Sequence, residues 1–171
     1  MVFVQPVSSP IGRLLMAATE SGLCAIEFGS SEREWQALGD WVRKRFDRAA
    51  NLAEDQSNRI LDAANRQLDE YFAGRRRTFE LPLDLRGTEF QKRVWQSLAS
   101  IPFGETRSYK TVAADIGAPK AVRAVGGANN RNPLPIVVPC HRVVGNDGSL
   151  VGYGGGLPIK IHLLRLEGCQ Y

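Results

Sequence analysis

From Val2 to Gly29 the chain alternates short apolar runs with turn signals. Phe3-Val4 is followed by Ser9-Pro10-Ile11-Gly12, then Leu14-Leu15-Met16-Ala17-Ala18, Ser21-Gly22, and Leu23-Cys24-Ala25-Ile26-Glu27-Phe28. Apolar runs of this length between tight turns predict strands. The period then changes. Between Glu32 and Arg48, Trp35, Leu38, Trp41, Val42 and Phe46 recur at three- and four-residue spacing, and between Asp55 and Phe72 so do Ile60, Leu61, Ala64, Leu68, Tyr71 and Phe72. Both patterns predict amphipathic helices, the second stopped by Gly74. Residues 1–76 therefore read as a small α+β unit.

Arg75-Arg76-Arg77-Thr78 and Leu81-Pro82-Leu83-Asp84 have fixed proline geometry and no helical period, which predicts a linker over 77–86. A helix-rich unit is expected over 87–171. Thr88 is placed to cap a helix with Phe90, Val94, Trp95 and Leu98 on one side, ended at Ile101-Pro102-Phe103-Gly104. Ser108 begins another, with Tyr109, Val112, Ala113 and Ile116 inward; Gly117-Ala118-Pro119 breaks it, and a second helix starts near Pro119 with Val122 and Val125 inward. Helix, short glycine turn, helix is the helix-turn-helix pattern, and equally the pattern of any two packed helices. Lys120 and Arg123 are the only long polar side chains on this second helix before Asn129; the others are small. A helix that reads the major groove projects several long donors and acceptors. So bare a surface suits close approach to a narrow groove, a sugar-phosphate wall or another helix.

Charge sharpens this. The chain carries +4 overall, but residues 1–74 hold 8 Lys and Arg against 11 Asp and Glu, whereas residues 75–171 hold 14 against 7. The basic second half points to a polyanionic partner, with a solvated basic surface as the plain alternative. Hydrophobic residues at 43% and charged residues at 23% exclude disordered, collagen-like and coiled-coil classes. Cys24, Cys140 and Cys169 form an odd set without a Cys-x-x-Cys pair, which argues against a disulfide framework or a zinc ribbon. With no leader-like start and no apolar window near ~18 residues, the expectation is a soluble, cytoplasmic protein with no membrane partner.

Candidate chemistry concentrates between Asn132 and Val143. Pro133, Pro135 and Pro139 fix the backbone around Ile136-Val137-Val138, read here as a rigid buried strand that presents Cys140 with His141 beside it. A thiol next to a basic group is a candidate activated nucleophile, because the thiolate is the reactive form. Taken alone, a buried structural cysteine fits as well, as it does for Cys24. Neighbours on extended backbone point apart, so His141 reaches the Cys140 proton only through a bend or a bridging water. Glu167 is the candidate to orient the imidazole. These residues alone also admit a DNA-binding regulator with a structural cysteine, or a thiol hydrolase acting on acyl substrates.

Pro139-Cys140-His141-Arg142-Val143, preceded by Asn132-Pro133 and Ile136-Val137-Val138, resembles the active-site signature of the O6-alkylguanine-DNA alkyltransferases. Further blocks follow the family in order from Gly87-Thr88-Glu89-Phe90-Gln91 through Pro119-Lys120-Ala121-Val122-Arg123 to Gly152-Tyr153-Gly154-Gly155-Gly156 and Leu163-Leu164. The resemblance implies an RNase H-like N-terminal domain before a helix-turn-helix domain. It also implies irreversible, single-turnover transfer of an alkyl group from O6-alkylguanine, with O4-alkylthymine left open, to Cys140 after nucleotide flipping. His141 would act through a water, held by Glu167, with Asn132 as the hinge between recognition helix and active segment.

By the same resemblance Arg123 would fill the space left by the flipped base, while Lys120, Ala124, Gly127, Ala128 and Arg131 line a minor-groove surface. Tyr109 would turn the nucleotide out, Tyr153 would wall the pocket, and Lys160 would lie near that tyrosine. Carbonyls at Cys140 and Val143 would accept from the guanine amine, and the Gly154 amide would donate to O6. Arg142 is expected on the same DNA face as Lys120, Arg123 and Arg131. The implied partner is double-stranded DNA with an alkylated guanine, bound by a monomer, with cooperative assembly left open; no cofactor is implied. Gly154 replaces a serine of some relatives, Val151 stands where some carry glycine, and Ile161-His162 replaces a common Glu-Trp pair. The N-terminal part has Cys24 and no histidine, so the zinc of some relatives is not expected.

Overall fold

The computed structural model describes residues 1–171. It divides into two compact units, Met1–Arg86 and Gly87–Tyr171. In the first, β1 (Val2–Val7), β2 (Leu14–Ala18) and β3 (Leu23–Phe28) form an antiparallel meander, and β4 (Leu52–Glu54) adds parallel to β1, giving the order β3-β2-β1-β4. The three predicted strands are present; β4 is too short to carry a readable period. Every residue of β2 is buried. An unbroken apolar strand is what a sheet covered on both faces requires. On one face α1 (Glu32–Arg45) sets Leu38 and Val42 against Val4, Leu15, Ala17 and Cys24. Gln5, pointing the opposite way from Val4, reaches Asp62 of α2 (Arg59–Phe72). Asn58 caps α2 by accepting from Leu61 N, and Gly74, at φ +76°, ends it with Arg75 N donating to Glu70 O.

The segment expected as a linker belongs to the first unit. Gln67 holds the backbone of Glu80 at both N–H and C=O, and Leu23 N donates to Pro82 O while Asp84 N donates to Leu23 O, so residues 82–84 run along the edge of β3. This strap passes so close to Gly22 that a Cβ there would lie 2.7 Å from the Pro82 and Leu83 backbone. Gly22→Ala should therefore cost about 1–3 kcal/mol, the usual range for overpacking, read as a lowered urea midpoint with an unchanged slope.

In the second unit Thr88 and Gln91 form a capping box on α3 (Glu89–Ala99). Ser108 caps α4 (Tyr109–Asp115), which ends in a Schellman turn at Gly117, φ +75°, with Gly117 N on Ala114 O and Ala118 N on Ala113 O. The next helix, α5, covers Val122–Asn130, starting three residues later than expected, so Lys120 lies in the turn before it. Val94, Trp95 and Leu98 of α3 are buried with Val112, Ala113 and Val125, and Trp95 Nε1 donates to Ala128 O. Two-residue strands β5 (Arg107–Ser108) and β6 (Val143–Val144) pair in parallel, and α6 (Leu157–Leu166) closes the unit. No helix is long and apolar enough to cross a membrane.

Candidate active site

The stretch from Asn132 to Val143 is not the strand expected from its prolines. Val137 N donates to Pro135 O across Ile136, whose φ of +74° is the one left-handed value among the non-glycine residues, and Cys140 N donates to Val138 O across Pro139. Two three-residue turns thus replace extended backbone, and Cys140–Arg142 forms a single 3-10 turn. A β-branched residue at positive φ is strained by roughly 1–3 kcal/mol and persists only where its surroundings enforce it. Here Asn132 helps: its Nδ2 donates to Val138 O at 2.8 Å and its Oδ1 accepts from Leu134 N at 3.0 Å. Three prolines limit φ at their own positions but leave a folded segment as open as a straight one.

The turn presents Cys140 at 5% exposure. Burial pushes its thiol up, while hydrogen bonds from Asn132 and Tyr153 and the charge of Lys160 act the other way. His141 Nε2 and Glu167 Oε2 are 2.8 Å apart, both fully enclosed. A carboxylate oxygen only accepts, so the proton of this bond sits on Nε2 and leaves Nδ1 as the lone-pair nitrogen. Nδ1 is buried and meets no hydrogen-bond partner from the protein. Desolvation lowers the imidazole's pKa, with Glu167 opposing, so His141 is held neutral. A neutral histidine with a carboxylate behind it and a free nitrogen in front can take a proton from a neighbour.

Arg142, expected on the DNA face, turns inward. It is 6% exposed; Nε and Nη2 donate to the two oxygens of Glu167 at 2.8 and 2.9 Å, and Nη1 donates to Ile101 O at 2.7 Å. The same carboxylate therefore takes a planar, two-point grip from arginine and a third bond from histidine, the geometry that fixes a carboxylate most firmly.

Lys160 lies beneath the site with no exposure. Its Nζ donates to the carbonyls of Val143, Val151 and Gly152 at 2.6, 3.2 and 3.4 Å, and burial lowers its pKa to about 8. Tyr109 Oη also donates to Val151 O, at 3.2 Å. Two side chains thus hold the segment that carries Tyr153 and Gly154. Tyr109, Gly126, Asn130, Val151 and Gly152 line a cleft of about 360 Å³. Val151 is 44% exposed at its edge. At Gly154 a Cβ would meet only Asn130 O, at 3.7 Å, so a larger residue fits there.

Arg123 and Ala124 are exposed on α5, Gly127 is partly exposed, and Lys120 and Arg131 are exposed at either end. Ala128 departs from this face: it is 3% exposed, with its carbonyl bonded to Trp95. Asn129, not singled out from the sequence, is buried as well. The spacing of Val125, Ala128 and Asn129, at i, i+3 and i+4, is the signal that places both inside.

Two family models cover the chain: 6-O-methylguanine DNA methyltransferase, ribonuclease-like domain, matches residues 4–85, and 6-O-methylguanine DNA methyltransferase, DNA binding domain, matches 89–169. The chain is 45% identical to the methylated-DNA--protein-cysteine methyltransferase of Methanosarcina barkeri, over 94% of each chain. The chain belongs to the 6-O-methylguanine DNA methyltransferase family. The constitutive methylated-DNA--protein-cysteine methyltransferase of Bacillus subtilis is 44% identical over 100% of this chain and 98% of its own. A crystal structure of Mycobacterium tuberculosis OGT in complex with DNA superposes with a TM-score of 0.81 at 44% identity, covering 96% of this chain and 92% of that one. In this family's α+β plan, the ribonuclease-like domain carries the mixed sheet and the DNA-binding domain carries the cysteine turn.

Proposed function

We propose that this chain, a methylated-DNA--protein-cysteine methyltransferase repairing O6-methylguanine in DNA, accepts the alkyl group on Cys140 and is consumed by doing so. The observation that carries the assignment is the His141–Glu167 pair, with its buried, partnerless Nδ1 on the residue that follows Cys140 in the chain. A water between the Cys140 sulfur and Nδ1 would complete a relay from thiol through imidazole to carboxylate. The thiol proton moves toward His141, and the thiolate attacks the alkyl carbon. The S–C bond forms as the C–O6 bond breaks, and the electron pair stays with guanine, which takes up the proton. The thioether has no leaving group for a second turn.

The target atom lies inside the base stack, so the nucleotide must leave it. The exposed side of α5 bears Arg123 and Ala124, with Gly127 beside them, and its low profile suits a minor groove. In this reading Arg123 takes the place of the flipped base, Lys120 and Arg131 meet phosphates, and Tyr109 turns the nucleotide toward the cleft. Tyr153 walls the base, Lys160 holds the carbonyl wall, and Asn132 fixes the turn. Carbonyls of Cys140 and Val143 receive the exocyclic amine, and the Gly154 amide meets O6. The partner is duplex DNA, bound through the basic second unit by a monomer in the cytoplasm.

Arg123→Ala should slow transfer from an O6-methylguanine duplex at least about tenfold, a loss of transition-state stabilisation near 1.4 kcal/mol, while transfer from the free modified base changes little. Cys140→Ser, run alongside, should bind the duplex and transfer nothing. Equal slowing of duplex and free base by Arg123→Ala would remove it from flipping.

A further inference from the structure

Asn129 is the buried polar group at this site that the reaction just described does not use. It sits on the inward side of α5 at 2% exposure, in line with Val125 and Ala128. A buried carboxamide brings two donors and an acceptor that all need partners. Its Nδ2 donates to Cys140 O at 3.4 Å. Its Oδ1 is buried without a partner. The amide cannot be turned over to relieve this, since its oxygen would then oppose the Cys140 carbonyl, acceptor against acceptor.

An unmet buried carbonyl lowers stability, and an apolar side chain of the same size would avoid that loss. The asparagine is therefore a poor choice for packing. Its donor serves the carbonyl of the cysteine residue itself, reached from the helix whose other side is exposed. Asn132 does something different, because its amide closes the turn at Val138 and Leu134.

We propose that Asn129 is a positioning residue for alkyl transfer, holding the Cys140 carbonyl from α5, so that seating of this helix on DNA and presentation of the thiol are one event. The inference rests on Cys140 being the acceptor. Residues that hold reacting groups in line act on the rate of the bound complex and leave binding alone.

The test compares wild type with Asn129→Leu in three measurements: single-turnover methyl transfer to Cys140 from saturating O6-methylguanine duplex, affinity for lesion-free duplex, and melting temperature. The expected result is a melting temperature at or above that of wild type, an affinity within about twofold, and a saturating rate lower by at least about tenfold. A rate within about twofold of wild type overturns the proposal. So does a slower rate that comes with a lower melting temperature and matching loss of duplex affinity, the signature of a packing role. Should the leucine be too bulky to fold, Asn129→Ala is judged by the same rate and affinity limits. Absence of methyl on Cys140 in wild type would instead overturn the acceptor assignment beneath it.

Discussion

Arg142→Met is expected to destabilise the protein by about 3–5 kcal/mol, because it strands a buried carboxylate that the guanidinium now holds at two points. Restoring shape does not help, since methionine supplies volume but no donor for Glu167 or for Ile101 O. Removing the second charge does: Arg142→Met with Glu167→Gln should regain part of the lost stability in urea unfolding while transfer stays low, because the imidazole loses its carboxylate. This double change separates the two roles that the sequence leaves merged. Had Arg142 faced DNA, as expected from its place among the cations, its loss would have lowered duplex affinity and reduced the salt slope by about one, with stability untouched.

Lys160→Met is expected to change two pH dependences at once. In the folded protein the Lys160 pKa is about 8, against an ordinary 10.5. Between those values the unfolded chain still holds a proton that the folded chain has lost, so this group makes stability rise with pH across that window and is most unfavourable below about 8. The variant should lose that rise. The ammonium also lowers the thiol pKa of Cys140, so transfer near pH 7 should slow about tenfold for each unit by which the thiol climbs. The rate–pH curve should move upward in pH. A uniformly slower curve of unchanged shape would assign Lys160 to holding carbonyls alone.

Much of the fold is legible because its signals are local. Three apolar runs between glycine or proline turns give β1 to β3, and Thr88, Ser108, Gly74 and Gly117 mark helix ends through bonds to their own neighbourhood. The strap at 82–84 reads as a linker because its partner, Leu23, is sixty residues away in sequence. The cysteine motif is legible as chemistry before it is legible as shape. Its prolines suggest a straight segment, whereas Ile136 at positive φ and the bonds of Asn132 fold it into turns. Arg142 shows the same limit from the other side. A cation in a basic half reads as a surface residue until its pairing with Glu167, far along the chain, is seen. Ala128 and Asn129 were readable in principle, since i, i+3 and i+4 spacing from Val125 sets both inward.

In the proposed reaction Cys140 receives the alkyl group and keeps it. Equimolar protein and duplex bearing one O6-methylguanine, digested and weighed as peptides, tests this directly. One methyl is expected on the Cys140 peptide, none on the Cys24 or Cys169 peptides, and guanine restored one for one with protein consumed. Guanine restored in excess of protein, or a methyl found elsewhere while Cys140 stays bare, would contradict it.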